Sequence, residues 1–157
     1  MALIGTSITS TTSGKLGSKA GWHGNFCQDL TETTSLTPDD SGKVFFLNSG
    51  SEFTTTLPSV ADAGAGWSCK FIVKTAPVGD SYIITEKTSA DTNIIITNGI
   101  NELEVDDTED GPYNAGHTTI TFAASVAIQG DWVELLCDGT NYYATGQTKA
   151  DGGITLG

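Results

Sequence analysis

The chain has 157 residues, with seven basic side chains, all Lys, against nineteen acidic ones, giving a formal net charge of −12 and a pI near 4.2. Phosphate backbones are bound through clustered Lys and Arg, and bidentate phosphate or guanine contacts need Arg, which is absent here. Nucleic acid and anionic membrane surfaces are therefore excluded as expected partners, while 38% hydrophobic residues with 19 Gly and abundant Thr point to one domain of short strands joined by many turns.

Residues 1–37 read as an extended arm. Met1-Ala2-Leu3-Ile4-Gly5 lacks the long apolar core and basic flank of a signal peptide, and no stretch approaches the ~20 apolar residues of a membrane span. Thr6 to Ala20 is a run of small polar residues with almost nothing to bury, too little to offset its own ordering entropy. Gly21-Trp22-His23-Gly24-Asn25-Phe26-Cys27 then brings the arm's large apolar anchors, Trp22 and Phe26, which pack on the parent domain or on a neighbour. Leu30 to Asp40 is polar and Thr-rich and ends in a Pro-Asp-Asp turn signal, so the domain boundary is placed at 37/38.

From residue 38 onward short β-type runs recur with turns between them, which predicts a single antiparallel β-sandwich or barrel, jelly-roll-like, over residues 38–157. The expected strands are Val44–Leu47, Phe53–Leu57, Ser68–Lys74, Ser81–Thr85, Asn93–Thr97, Leu103–Val105, Thr118–Phe122, Asp131–Cys137 and Asn141–Thr145. Alternation puts Trp67, Cys69, Phe71 and Val73 on one core-facing side, with Ser68, Lys70 and Lys74 opposite. Phe53, Thr55 and Leu57, and likewise Ile120 and Phe122, alternate in the same way. Ile94-Ile95-Ile96 is apolar on both faces, as a central strand or an oligomer contact would be. Pro58 and Pro77 each follow a strand and stop it. Asp138-Gly139-Thr140-Asn141 lies between two runs rich in Trp, Tyr, Val and Leu, the signature of a hairpin. The last stretch, Ile154 to Gly157, is read as a free tail or as a strand added to a neighbour's sheet edge.

Three cysteines, Cys27, Cys69 and Cys137, cannot all pair within one chain and have no CxxC spacing, so they are read as reduced small hydrophobes of a protein made in a reducing cytoplasm. No phosphate loop, HExxH or GxSxG is present, and His23 and His117 are the two histidines, so no cofactor and no catalytic constellation is expected. Asp106-x-Thr108-x-Asp110-Gly111 copies part of a calcium loop, but its twelfth position is His117 where a bidentate Glu is needed, and the segment is read as a solvated acidic loop without metal. Trp22, Tyr113, Tyr142 and Tyr143 could form a carbohydrate platform, although the adjacent Tyr142 and Tyr143 should split between core and surface.

Asp40-Ser41-Gly42-Lys43-Val44-Phe45-Phe46-Leu47-Asn48, Thr56-Leu57-Pro58, the Ala63 to Trp67 turn leading into Phe71-Ile72-Val73, and the Gly130 to Gly146 hairpin together resemble a β-module of tailed-bacteriophage virion proteins. The module occurs in head decoration, or cement, proteins and in tail-fibre segments. The resemblance implies a structural protein and not an enzyme, a homotrimer on the outer surface of the expanded capsid, with the major capsid protein as partner. The resemblance covers about residues 38–157 and not the arm before them, which is expected to bind the capsid through Trp22, His23 and Phe26. A tail-fibre or receptor- and glycan-binding module is the alternative. The short chain favours decoration, because fibres embed the module in much longer polypeptides.

Overall fold

Ser68–Val73, where the alternation is cleanest, lies near the middle of the larger of two packed sheets in the computed structural model, which describes residues 26–87, 94–97, 99–104 and 114–157. The strands are β1 (Cys27–Leu30), β2 (Thr34–Ser35), β3 (Lys43–Leu47), β4 (Phe53–Thr56), β5 (Ser68–Val73), β6 (Tyr82–Thr85) and β7 (Ile95–Thr97). They continue with β8 (Asn101–Glu102), β9 (Asn114–His117), β10 (Thr119–Phe122), β11 (Trp132–Cys137), β12 (Tyr142–Thr148) and β13 (Ile154–Leu156). A single helical turn, α1 (Val60–Ala63), is capped by Ser59, whose hydroxyl accepts from the Asp62 N–H.

The larger sheet runs β1-β3-β5-β11-β12-β7-β9, with β8 also on β12, and the smaller runs β13-β10-β6-β4-β2. The first six strands go alternately to one sheet and the other. A chain that crosses to the opposite layer and back returns in its original direction, so β1, β3 and β5 are parallel, as are β2, β4 and β6. The all-β sandwich is as expected, but the sheets are mixed, where uniform antiparallel pairing was anticipated. The reason is that consecutive strands in this half of the chain are not hairpin partners. Antiparallel pairing does hold for β11 on β12 and on β5, and for β10 on β6 and β13.

The boundary drawn at 37/38 falls inside the sandwich. β1 and β2 each pair with a sheet, and Leu30 and Leu36 are buried in the core, because β1 and β2 supply the outermost strands of the two parallel sets. The last residues form neither a free tail nor a strand on a neighbour. β13 pairs with β10 of its own chain, and the Gly157 carbonyl accepts from the Thr118 and Thr119 N–H groups. Expected Leu103–Val105 is displaced to Asn101–Glu102, with Leu103 exposed and Val105 outside the described residues. β7 has a neighbour on each side, Ile95 being buried and Ile94 and Ile96 half-buried.

Trp67, Cys69, Phe71 and Val73 are all buried, as the alternation requires, and so are Phe53, Thr55, Leu57, Ile120 and Phe122. Aromatic pairs bridge the strands: Phe45 stacks on Phe71 with ring centroids 5.4 Å apart, and Trp67 meets Tyr142 edge-on at 5.6 Å. The hairpin closes where expected, with Cys137 paired to Tyr142. Asp138 Oδ1 accepts from the N–H groups of Thr140 and Asn141, both at 2.7 Å, and Gly139 takes φ +95°. The Asn141 N–H and then the Thr140 N–H hold the Asp138 carboxyl below the usual range.

Candidate functional site

Of the three expected arm residues, Trp22 and His23 lie outside the described residues, and Phe26 stands at a corner of the larger sheet with 48% of its surface exposed. Its carbonyl accepts from the Val44 N–H at 2.6 Å, which starts the β1–β3 ladder. Its ring leans toward Gly42, in the left-handed region at φ +83°, where a Cβ would stand 3.9 Å from Phe26 Cε1. Beside this corner is a depression of about 180 Å³ lined by Gly42, Lys43, Val44, Ser68, Cys69, Lys70 and Glu134.

The charges around the depression are held in place. Lys43 Nζ donates to Asp40 Oδ1 at 2.6 Å, and Asp40 Oδ2 accepts from the Thr37 N–H and hydroxyl at 2.7 and 2.9 Å. Burial raises the Asp40 pKa, but Lys43 and the two Thr37 donors outweigh it and hold the carboxyl below the usual range. Lys70 Nζ sits 3.8 Å from the centroid of the Trp132 ring, a cation–π contact on the outer surface of the sheet. Burial, and then the negative charges of Asp40 and Glu134, push the Cys69 thiol well up, so it stays protonated. Burial also raises Cys137, against a hydrogen bond from the Gly139 N–H. Neither thiol is set up as a nucleophile, since the thiolate is the reactive form. All three cysteines are free, with Cys27 exposed.

Three rows of side chains cross the outer face of the larger sheet. Gly42, Ser68, Leu136 and Tyr143 form the first, Val44, Lys70, Glu134 and Thr145 the second, and Phe46, Ile72, Trp132 and Gln147 the third. Leu136 and Tyr143 are 52% and 45% exposed, large for apolar groups on a sheet face. The Tyr143 hydroxyl hydrogen-bonds the Asp138 carboxylate, which with that negative charge raises the tyrosine pKa. Charged side chains on this face and at its rim are partnered: Asp29 with Lys74, Asp40 with Lys43, Glu134 beside Lys70 across the strands, and Asp138 with the Tyr143 hydroxyl.

The acidic stretch Asp106 to Asp110 lies outside the described residues, and among the described residues no group of three or more His, Cys, Asp or Glu could hold a metal ion. Of the four residues of the expected carbohydrate platform, two are described. Trp22 and Tyr113 are outside the described residues, and Tyr142 is buried with its hydroxyl donating to the Pro58 carbonyl at 2.7 Å, which leaves Tyr143 outward. Sequence reasoning did not single out the outer face as a surface. The signal was present in the second set of the alternation, where Phe46, Ile72, Trp132, Leu136 and Tyr143 fall opposite the core set. Comparison of the chain with protein-family models, with curated proteins and with solved structures gives no match.

Proposed function

We propose that this protein decorates the outer surface of an expanded tailed-phage capsid and stabilises it, as the resemblance of residues 38–157 to virion β-modules implies. The observation that carries the reading is Phe26. Both described sheets are built from Cys27 onward, and an exposed aromatic ring marks the corner at which residues 1–25 join them. An exposed aromatic ring at the edge of the sandwich is suited to filling a pocket on another protein, where its burial offsets part of the entropy lost on binding. Binding selectively to the expanded shell stabilises that state by mass action, by about 2.7 kcal/mol per site at a hundredfold excess over Kd. Several arms in one assembly raise their effective concentration at the shell, so contacts weak singly hold together.

The test is reconstitution. Purified protein is mixed with expanded capsids that lack it, then pelleted, and the particles are heated. Saturable binding with a raised disruption temperature is expected, and deletion of residues 1–25 combined with Phe26→Ala should abolish both while the sandwich keeps its melting temperature. No binding to the shell, or full binding by the deletion variant, overturns the reading. Saturable binding to host-surface polysaccharide in place of the shell would move the assignment to the fibre-type module.

A further inference from the structure

We infer that residues 26–36 form a strap hinged at Thr37, which peels from the sandwich ahead of the rest and lengthens the reach of the residues before it. The inference rests on how this segment is held and not on capsid binding.

The strap is a continuous piece of chain that edges both layers. β1 is the outermost strand of the larger sheet and β2 of the smaller, and Thr31 to Thr33 carry the chain from one to the other. Its hold on the core is slight. Of residues 26–37, Leu30 and Leu36 are buried and Thr34 is half-buried, while the other nine are exposed. β1 pairs with β3 in parallel over four residues and β2 with β4 over two, and the Leu36 N–H donates to the Thr56 carbonyl at 2.8 Å. Parallel pairing is the weaker kind per residue. The remaining ties lie on the surface. Asp29 meets Lys74 at 2.6 Å and the Asn48 amide at 2.9 Å, Lys43 donates to Gln28 at 3.4 Å, and the Thr33 hydroxyl accepts from the Thr54 N–H at 3.2 Å. Exposed ion pairs such as Asp29 with Lys74 contribute little.

The hinge is built in the opposite way. The indole N–H of buried Trp67 donates to the Thr37 carbonyl at 3.2 Å, and the Thr37 N–H and hydroxyl donate to Asp40 Oδ2. Asp40 is in turn fixed by Lys43, and the Gly42 N–H donates to the Ser68 carbonyl at 2.7 Å. None of these bonds involves the strap, so they survive its release and set where peeling stops. β13, the edge strand at the opposite flank, is fastened at both ends. The Ala123 N–H donates to the Gly153 carbonyl, Gly157 exchanges bonds with Thr119, and Gly153 and Ile154 are buried. Local opening starts where buried contacts are fewest, which here is the strap.

Peeling takes one edge strand from each sheet and leaves the two layers packed on each other. Eleven residues at ~3.3 Å each span about 36 Å, so the point at which residues 1–25 meet folded structure moves outward from Phe26 along a tether ending at Thr37. A partner held through those residues then stands at more than one distance from an intact sandwich.

The test is native-state hydrogen exchange of the full chain at low denaturant concentrations. The Val44 and Asn48 amides bond the Phe26 and Leu30 carbonyls, and the Leu36 amide bonds Thr56, so all three open with the strap. They should exchange at least about tenfold faster than the Val73 and Cys137 amides of the larger sheet, with a shallower denaturant dependence, because less surface is exposed. Equal rates with equal dependence overturn the proposal. A lock supplies the second readout. Cys27 pairs with Val44 across β1 and β3, and the other two cysteines are buried, so Val44→Cys sets two thiols at a separation that a disulfide spans. Oxidation of this variant should slow the Asn48 amide at least about tenfold, and reductant should reverse it. Single-molecule pulling on the two chain ends should give a first extension of about 36 Å before the sandwich ruptures, absent from the oxidised variant. Rupture without that extension, or the same extension in the oxidised variant, overturns the strap. Neither readout involves a particle, so this inference and the capsid reading fail separately.

Discussion

Asp131 is the residue that ties the turn before β11 to the end of β12. It is 4% exposed, yet its carboxylate is fully engaged: Oδ2 accepts from the Ile128 N–H and the Thr148 hydroxyl, both at 2.9 Å, and Oδ1 accepts from the Lys149 N–H at 3.0 Å. A buried charge is tolerated only with such a complement of donors. Asp131→Ala leaves two backbone N–H groups without partners, so a loss of about 3 kcal/mol is expected in urea unfolding, against about 1 kcal/mol for Thr148→Val, which removes the hydroxyl's bond to Asp131 and its longer one, at 3.4 Å, to the Ala150 carbonyl but strands no backbone N–H. Equal effects of the two variants would count against this account. In the sequence Asp131 reads as the first residue of a strand, and nothing local marks it as buried. Its partners lie in the preceding turn and at the end of β12, and only the closed hairpin brings them together.

At the scale of the element, the β11–β12 hairpin shows what local pattern can and cannot reveal. Its turn was legible because Asp138 and Gly139 act within four residues of each other, one as acceptor and one through positive φ. The split between Tyr142 and Tyr143 was legible from the pleat alone. Gly146 was not. A Cβ there would lie 2.5 Å from the Trp132 carbonyl oxygen and 2.9 Å from Val133 Cγ2, so the glycine is required by the closeness of its cross-strand neighbours. Gly146→Ala should therefore cost about 1–3 kcal/mol by overpacking, read as a lower midpoint in chemical denaturation. A neutral result would mean that the two strands can separate at this pair. Parallel pairing was illegible for the same kind of reason: β3 and β5 are separated by a strand of the other sheet, and short-range periodicity carries no information about which layer a strand joins.

For the whole molecule, charge and architecture divide the surface. The outer strand positions of the smaller sheet are Ser35, Thr54, Thr56, Ile83, Thr85, Thr119, Thr121 and Thr155, without a single ionisable group, whereas the larger sheet's outer face carries the Asp29–Lys74 pair and the Lys70–Glu134 neighbours. The excess of acid is thereby left to turns and ends. Four carboxylates, Asp29 in β1 and three in turns, titrate below the ordinary Asp value of 3.8: Asp29 through Lys74 and then Asn48, Asp62 through Lys87 and then Ser59, Asp138 through its turn N–H groups, and Asp40 despite its burial. A carboxyl whose pKa is lower folded than unfolded stabilises the fold above the unfolded value, and that contribution disappears as pH falls through the folded value. The melting temperature should therefore be no lower at pH 5 than at pH 7, where acid also relieves net repulsion, and should fall below about pH 4. A melting temperature that kept rising to pH 3 would show that repulsion outweighs these four groups. The alternation of the first six strands between layers has one more result. Neither sheet is a continuous piece of chain, so neither can come apart as a unit while the other stays, and β5 finds β11 only after more than half of the sequence has been threaded. Unfolding is then a single concerted event reached over a slow barrier, and a partly peeled intermediate with one bare sheet is not available to the chain.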